Sequence, residues 1–210
     1  MTAWILLTIV AVALLLHAES RGSRAGIWTW KPIASTGFVA TALAAGATST
    51  TYGSWVLAAL ILSWWGDVLL IPRASRIFLL GIGSFLLGHL AFAGGFLSRG
   101  TAPVAVVVTA ALLVVPARQT LRWLAPHVPG DLRVPVRAYV VVICAMVACA
   151  VATYVRAGNG WLLVGALMFM VSDLAVARER FVDDGFVNKT WGLPLYYGGQ
   201  LLLAASVVAA

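Results

Sequence analysis

Two aspartates stand out by their surroundings. Asp67 lies in Ser63-Trp64-Trp65-Gly66-Asp67-Val68-Leu69-Leu70, and Asp173 in Phe169-Met170-Val171-Ser172-Asp173-Leu174-Ala175. Only 7 of the 210 residues are acidic, and these two are the ones set inside apolar sequence. A charged carboxylate inside a membrane-spanning helix costs roughly 2.5–3.5 kcal/mol even on lenient insertion scales. Groups that expensive need a reason. Two carboxylates that share a cavity do not hold protons equally, so one serves as acid and the other as base. Such a pair suits hydrolysis, with a proton delivered to substrate and a water activated. The plainer reading is a structural polar cluster, with Lys31 as counter-charge.

Other polar residues can join the two acids. Lys31 precedes Pro32 and is expected at the start of a helix, where it pairs with a carboxylate, holds a phosphate or simply snorkels to the interface. His89 falls mid-helix. Ser63 stands one turn before Asp67, and Ser172 directly before Asp173. Tyr196, Tyr197 and Gln200 share one segment, with Tyr197 and Gln200 on one helical face. They can bind a headgroup or tie neighbouring helices together. The histidines, His17, His89 and His127, are scattered, and no metal site is expected. Gly-x-Ser-x-Gly, His-Glu-x-x-His and Gly-x-x-x-x-Gly-Lys-Ser/Thr motifs are all absent from the sequence. Cys144 and Cys149, five positions apart on one segment, point in different directions and are expected to stay unpaired.

The elements that must position these groups are membrane helices. The chain is 62% hydrophobic and 10% charged, with mean hydropathy +0.98. Soluble domains carry about 25% charged residues. Apolar segments at 2–17, 32–47, 53–71, 77–97, 102–117, 135–155, 159–177 and 191–209 predict an all-α bundle of eight transmembrane helices in a single domain. No basic stretch precedes the first segment, so it is expected to stay as a helix rather than be cleaved.

Charge sets the orientation. The connectors after segments 1, 3, 5 and 7 carry 12 of the 14 basic residues, and the other side carries only Arg99 and Arg156. The basic side is therefore expected to be cytoplasmic, with both termini on the non-cytoplasmic side. The net charge of +7 comes from residues spread through these connectors, which fits membrane lipids as partners and not nucleic acid. Counting back to Arg73 and Arg178 places both aspartates about 8 Å inside the cytoplasmic ends of two parallel helices.

The order and spacing of these motifs resemble the YhhN family of integral membrane proteins. The resemblance rests on Lys31-Pro32, Ser63-x-x-Gly66-Asp67, Phe78-x-x-Gly81-x-x-Ser84-Phe85-x-x-x-His89, Gly165-Ala-x-x-Phe169-x-x-Ser172-Asp173 and Tyr196-Tyr197-x-x-Gln200. It runs from about residue 30 to 205. One position departs from it: Phe92 stands where the family often has an aromatic hydroxyl, which puts an accessory binding role in doubt.

The resemblance implies a lysoplasmalogenase, which hydrolyses the vinyl ether of a lysoplasmalogen to a fatty aldehyde and a glycerophospho-base. Asp67 and Asp173 would be catalytic, in either order. Lys31, Ser63, His89, Ser172, Tyr197 and Gln200 would bind substrate. The expected partners are a lysophospholipid and membrane lipids, with no cofactor and no protein partner evident. The expected location is a bacterial inner membrane, with the site opening toward the cytoplasm. The alternatives are hydrolysis of another ether lipid or lysolipid, or a non-enzymatic transporter using the acids as a proton relay.

Overall fold

The computed structural model describes residues 1–72 and 74–209. They form eight α-helices: α1 (Thr2–Ser20), α2 (Arg24–Ala44), α3 (Thr51–Leu69), α4 (Ser75–Ser98), α5 (Pro103–Leu124), α6 (Arg133–Ala157), α7 (Gly160–Phe181) and α8 (Val187–Ala205). Short 3-10 turns cover Gly130–Leu132 and Ser206–Ala209. No strand occurs among the described residues.

Local chemistry starts and stops these helices. Ser23 Oγ accepts from Gly26 N at 3.2 Å, and Thr50 Oγ1 from Gly53 N at 2.9 Å, each satisfying an orphan donor of a first turn. Asn159 caps α7 by accepting from Trp161 N at 3.1 Å. Gly158 ends α6 with φ 73°, a left-handed turn that glycine adopts without strain.

The Ser23 cap shifts one expectation. α2 begins at Arg24 rather than 32, so Lys31 and Pro32 lie two turns inside it. Three other helices run past their apolar cores. α5 reaches Leu124 instead of 117, α7 reaches Phe181 instead of 177, and α8 starts at Val187 instead of 191. The loop expected over 118–134 therefore shrinks to the residues after Leu124 and a 3-10 turn. Counted from their own helix ends, the two acids differ. Asp67 sits in the last turn of α3, while Asp173 is two turns inside α7. Arg73, from which the first depth was counted, lies outside the described residues.

Six helices are long and apolar enough to cross a membrane: α1, α3, α4, α5, α6 and α7. The chain is thus built as a multi-pass membrane protein. α2 and α8 are of similar length but more polar, because they carry Lys31, Ser35, Asn188, Lys189 and Gln200. α1 packs on α2, α3 on α4 and α7 on α8, and α5 rests mainly on α6. The core between them holds Leu15, Phe38, Leu60, Phe92, Phe96, Met146, Phe169 and Leu203. Outward faces stay apolar, as at Val104, Val107 and Leu112 of α5. Lipid gives no hydrophobic drive between helices, so close backbone approach matters more. α7 and α8 meet at Gly165 and Gly199, where a Cβ on either would stand 2.9 Å from the other's carbonyl oxygen.

Candidate active site

A cavity of about 850 Å³ opens among the ends of α1, α3, α5 and α7 and the starts of α2, α4, α6 and α8. That volume is within the range of small-molecule sites, about 300–1,000 Å³. Its wall on α5, from Leu113 to Leu124, runs about 16 Å along the helix. Five of the chain's seven acidic residues line it: Glu19, Asp67, Asp173, Glu179 and Asp184. Acids this scarce do not gather by chance in a chain with twice as many cations.

Asp67 is the better buried of the two intramembrane acids. α3 brings it against α2 and α8. Ser35 Oγ donates to its Oδ2 at 2.6 Å, and Tyr196 hydroxyl donates to the same oxygen at 2.7 Å. Lys31 Nζ stands 3.6 Å from Oδ1. Lys31 and Ser35 are one turn apart on α2, which is why both reach it. Every oxygen of this carboxylate therefore faces a donor. The Tyr197 hydroxyl lies behind, 3.3 Å from Ser35 Oγ and 3.3 Å from the Lys31 carbonyl oxygen. A buried charge is tolerated when it is paired and hydrogen-bonded in this way.

Asp173 has a different setting, made by α4, α6 and α7. Tyr139 hydroxyl donates to its Oδ2 at 2.9 Å. The Tyr139 oxygen is then left to accept from His89 Nε2, 2.9 Å away. His89 Nε2 also stands 3.3 Å from Asp173 Oδ2. His89 Nδ1 is buried without a partner, so the ring bonds through Nε2 alone. Among the described residues, none donates a hydrogen bond to Asp173 Oδ1. The side chain is 17% exposed, against 3% for Asp67.

Aromatic rings join the two clusters. Phe169 lies 4.5 Å from the His89 ring and 5.3 Å from the Tyr196 ring, centroid to centroid. Phe85 packs on both Phe169 and Tyr196. This wall keeps Asp67 and Asp173 in separate hydrogen-bond networks while both border the same space.

The mouth of the cavity is charged. Lys189 bridges Glu19, at 3.4 Å, and Glu179, tying α8 to α1 and α7. Arg180 lies over the Phe78 ring, 4.1 Å from its centroid. Arg24 completes the rim. Between rim and acids the lining is apolar, with Phe78, Ile82, Val136, Val140 and Leu174. A charged rim above an apolar shaft suits an amphiphile with a polar head.

Of the residues singled out from sequence, Asp67, Asp173 and Lys31 line the cavity. His89 stands behind Tyr139. Ser63 and Ser172 turn back on their own helices, donating to the carbonyl oxygens of Ala59 and Phe169. Tyr197 is buried behind Ser35. Gln200 is fully buried, with neither amide atom hydrogen-bonded. Sequence reasoning missed Ser35 and Tyr139, and it weighted Tyr197 over Tyr196. The one-turn spacing of Ser35 from Lys31 was an available signal. Phe92, the departure from the family pattern, is fully buried against Phe96. Tyr139, from another helix, provides the hydroxyl that His89 meets. Both cysteines are unpaired. Among the described residues, no three of His, Cys, Asp and Glu gather as a metal-binding group.

Comparison of the sequence with known proteins gives its relatives. A protein named lysoplasmalogenase from Mycobacterium bovis is 36% identical over 181 residues, which is 80% of this chain and 66% of that protein. Lysoplasmalogenase TMEM86A of Bos taurus is 29% identical over 159 residues, 73% of this chain and 65% of its own. Lysoplasmalogenase TMEM86B of Sus scrofa is 30% identical over 160 residues, 74% and 64% of the two chains. The matches thus span just under two thirds of those proteins' lengths. No solved structure gives a significant match. The sequence profile of the YhhN family matches residues 26–207, nearly the whole chain, and the chain belongs to that family.

Proposed function

We propose that this protein is a membrane hydrolase of the lysoplasmalogenase type. One observation carries the reading: Asp67 and Asp173 border a single amphiphile-shaped cavity, each oriented by its own hydroxyl donors. The names of the relatives support the substrate class, a lysophospholipid with a vinyl ether. All eight helices span the membrane in this reading. Both termini face outward, and the cavity opens to the cytoplasm of a bacterial cell.

The two hydrogen-bond settings suggest the division of labour. Both oxygens of Asp67 face donors, one of them the Lys31 ammonium, which suits it to the role of base and cation stabiliser. Asp173 takes its hydroxyl donor on Oδ2, and among the described residues none donates to Oδ1, so Asp173 is assigned the role of acid. In the reaction Asp173 protonates the vinyl carbon remote from oxygen. The electron pair of the double bond forms the new C–H bond, and the carbon next to oxygen becomes an oxocarbenium ion. Asp67 stabilises that cation and takes a proton from water as it adds. The hemiacetal then breaks as Asp67 gives its proton to the leaving glycerol oxygen and Asp173 takes the hydroxyl proton, which releases aldehyde and glycerol hydroxyl and restores both acids. The overall change is addition of one water, with no cofactor. Arg24 and Arg180 would hold the phosphate at the rim, while the alkenyl chain fills the apolar shaft.

The proton's destination can be tested directly. Purified protein is given a lysoplasmalogen in D₂O, and the aldehyde is trapped promptly and analysed by mass spectrometry. The expected product carries one deuterium on the carbon next to the carbonyl. Aldehyde without that deuterium would contradict protonation at carbon.

A further inference from the structure

A second recess lies between the end of α5 and the start of α6. It is an open groove of about 690 Å³, lined by Arg118, Arg122, Arg133 and Arg137. Arg118 and Arg122 are one turn apart on α5, and Arg133 and Arg137 one turn apart on α6. Two cationic faces therefore meet across one gap. All four side chains are exposed.

No carboxylate among the described residues answers them. Ion pairs in the molecule join Lys31, His89, Arg178 and Lys189 to acids, and none among the described residues includes these four arginines. Among the described residues, only Arg133 of the four makes a side-chain hydrogen bond, from Nε to the Val128 carbonyl oxygen at 3.4 Å. Asp131, on the turn beside them, pairs with none. Four like charges in one groove repel, and a bound anion relieves that repulsion. Guanidinium groups present planar forks that match phosphate oxygens.

The surroundings select the kind of anion. The groove floor is apolar, and its Leu124, Val128 and Val136 belong to a buried cluster with Phe78 and Leu132. Toward the membrane centre, α5 exposes Val108, Leu112 and Val115. Leu112 is about 9 Å along the helix from Arg118. A free phosphate would use only the arginines. A phospholipid would use them and lay its chains on this apolar face. Basic pockets between membrane helices hold anionic headgroups on these grounds.

We propose that this groove is a binding site for an anionic glycerophospholipid, with its phosphate among Arg118, Arg122, Arg133 and Arg137. The site is separate from the two acids and does not depend on the proposed hydrolysis. It does share a wall with their cavity, because Leu124 and Val136 line both spaces. α5 is held mainly by α6, so a bound lipid clamps the least supported wall of the cavity.

The test uses the full chain purified in a neutral detergent. Dioleoylphosphatidylglycerol, dioleoylphosphatidylcholine and inorganic phosphate are added separately. Native mass spectrometry reads binding, and thermal unfolding reads stabilisation. Phosphatidylglycerol is expected to bind at least tenfold tighter than phosphatidylcholine, to raise the unfolding temperature, and to do so less at high salt. Replacing all four arginines by glutamine abolishes the preference, whereas Arg21→Gln with Arg76→Gln, outside the groove, leaves it. If the quadruple variant does not purify, the pairs R118Q/R122Q and R133Q/R137Q are each expected to weaken binding at least threefold. Equal binding of the two lipids, or unchanged phosphatidylglycerol binding in both paired variants, would overturn the proposal. So would a full stabilisation by inorganic phosphate alone, which would make the groove a phosphate site and not a lipid site.

Discussion

Asn in place of Asp keeps shape and removes charge, so it separates chemistry from packing at each acid. At Asp173, whose Oδ1 takes no hydrogen bond from the described residues, the Asn variant is expected to fold normally and to lose at least about 10²-fold in turnover. Tyr139→Phe removes the hydroxyl that orients Asp173 and is expected to lower kcat about tenfold while leaving KM near its original value. Equal falls in kcat and stability would make Tyr139 a packing residue. Asp67 behaves differently because its charge is balanced inside the protein. Lys31→Met strands a buried carboxylate and is expected to destabilise by about 3 kcal/mol or more, and Asp67→Asn added to it should recover part of that loss. Thermal unfolding of the single and double variants reads the coupling. At this scale the sequence was informative about charge and poor about hydroxyls. Asp67, Asp173 and Lys31 were legible because a charge in an apolar run is a one-dimensional signal. Tyr139 was not, and Ser35 only through its one-turn spacing from Lys31, since most hydroxyls in apolar helices bond their own backbone, as Ser63 and Ser172 do here.

Helices in this protein are positioned by a few close approaches. Gly165 and Gly199 let α7 and α8 touch through backbone: a Cβ on Gly165 would stand 2.8 Å from Leu203 Cγ and 2.9 Å from the Gly199 carbonyl oxygen, which cannot rotate away. Gly165→Ala is therefore expected to destabilise by about 1–3 kcal/mol, as overpacking does. Gly83 is the control. A Cβ there meets nothing within 4 Å, so Gly83→Ala is expected to be neutral or to stabilise by up to about 1 kcal/mol. Matching losses from the two substitutions would contradict this account of α7 and α8. Glycine content alone showed that small residues crowd α4, but not which of them bear contacts. Helix ends were also only partly legible. Hydropathy marks the apolar middle of a helix, whereas a cap such as Ser23 sets where it begins, so α2 starts before its apolar stretch. The two helices whose polarity weakens their membrane signature, α2 and α8, are the ones that supply Lys31, Ser35 and Tyr196 to Asp67.

For the molecule as a whole, basic residues set the orientation and packing sets the cavity. If both termini face outward, the connector holding Ser49 lies outside and the one holding Asp131 lies in the cytoplasm. With Cys144 and Cys149 replaced by Ala, Ser49→Cys is expected to react with a membrane-impermeant maleimide in intact cells and Asp131→Cys only after lysis. The reverse pattern would invert the topology and turn the cavity to the other face. The helical class and the two acids were readable from a linear pattern. The cavity was not, because it depends on how eight helices lean on one another and leave α5 resting mainly on α6. The partition of the two acids by Phe85 and Phe169 was equally invisible, since it joins residues far apart in the chain. The most direct measurement of the central claim is aldehyde release from a purified lysoplasmalogen by the detergent-solubilised protein, beside Asp67→Asn and Asp173→Asn. The account predicts steady release by the wild type and loss of at least about 10²-fold in each variant. Full release by either folded variant, or none by the folded wild type, would contradict it.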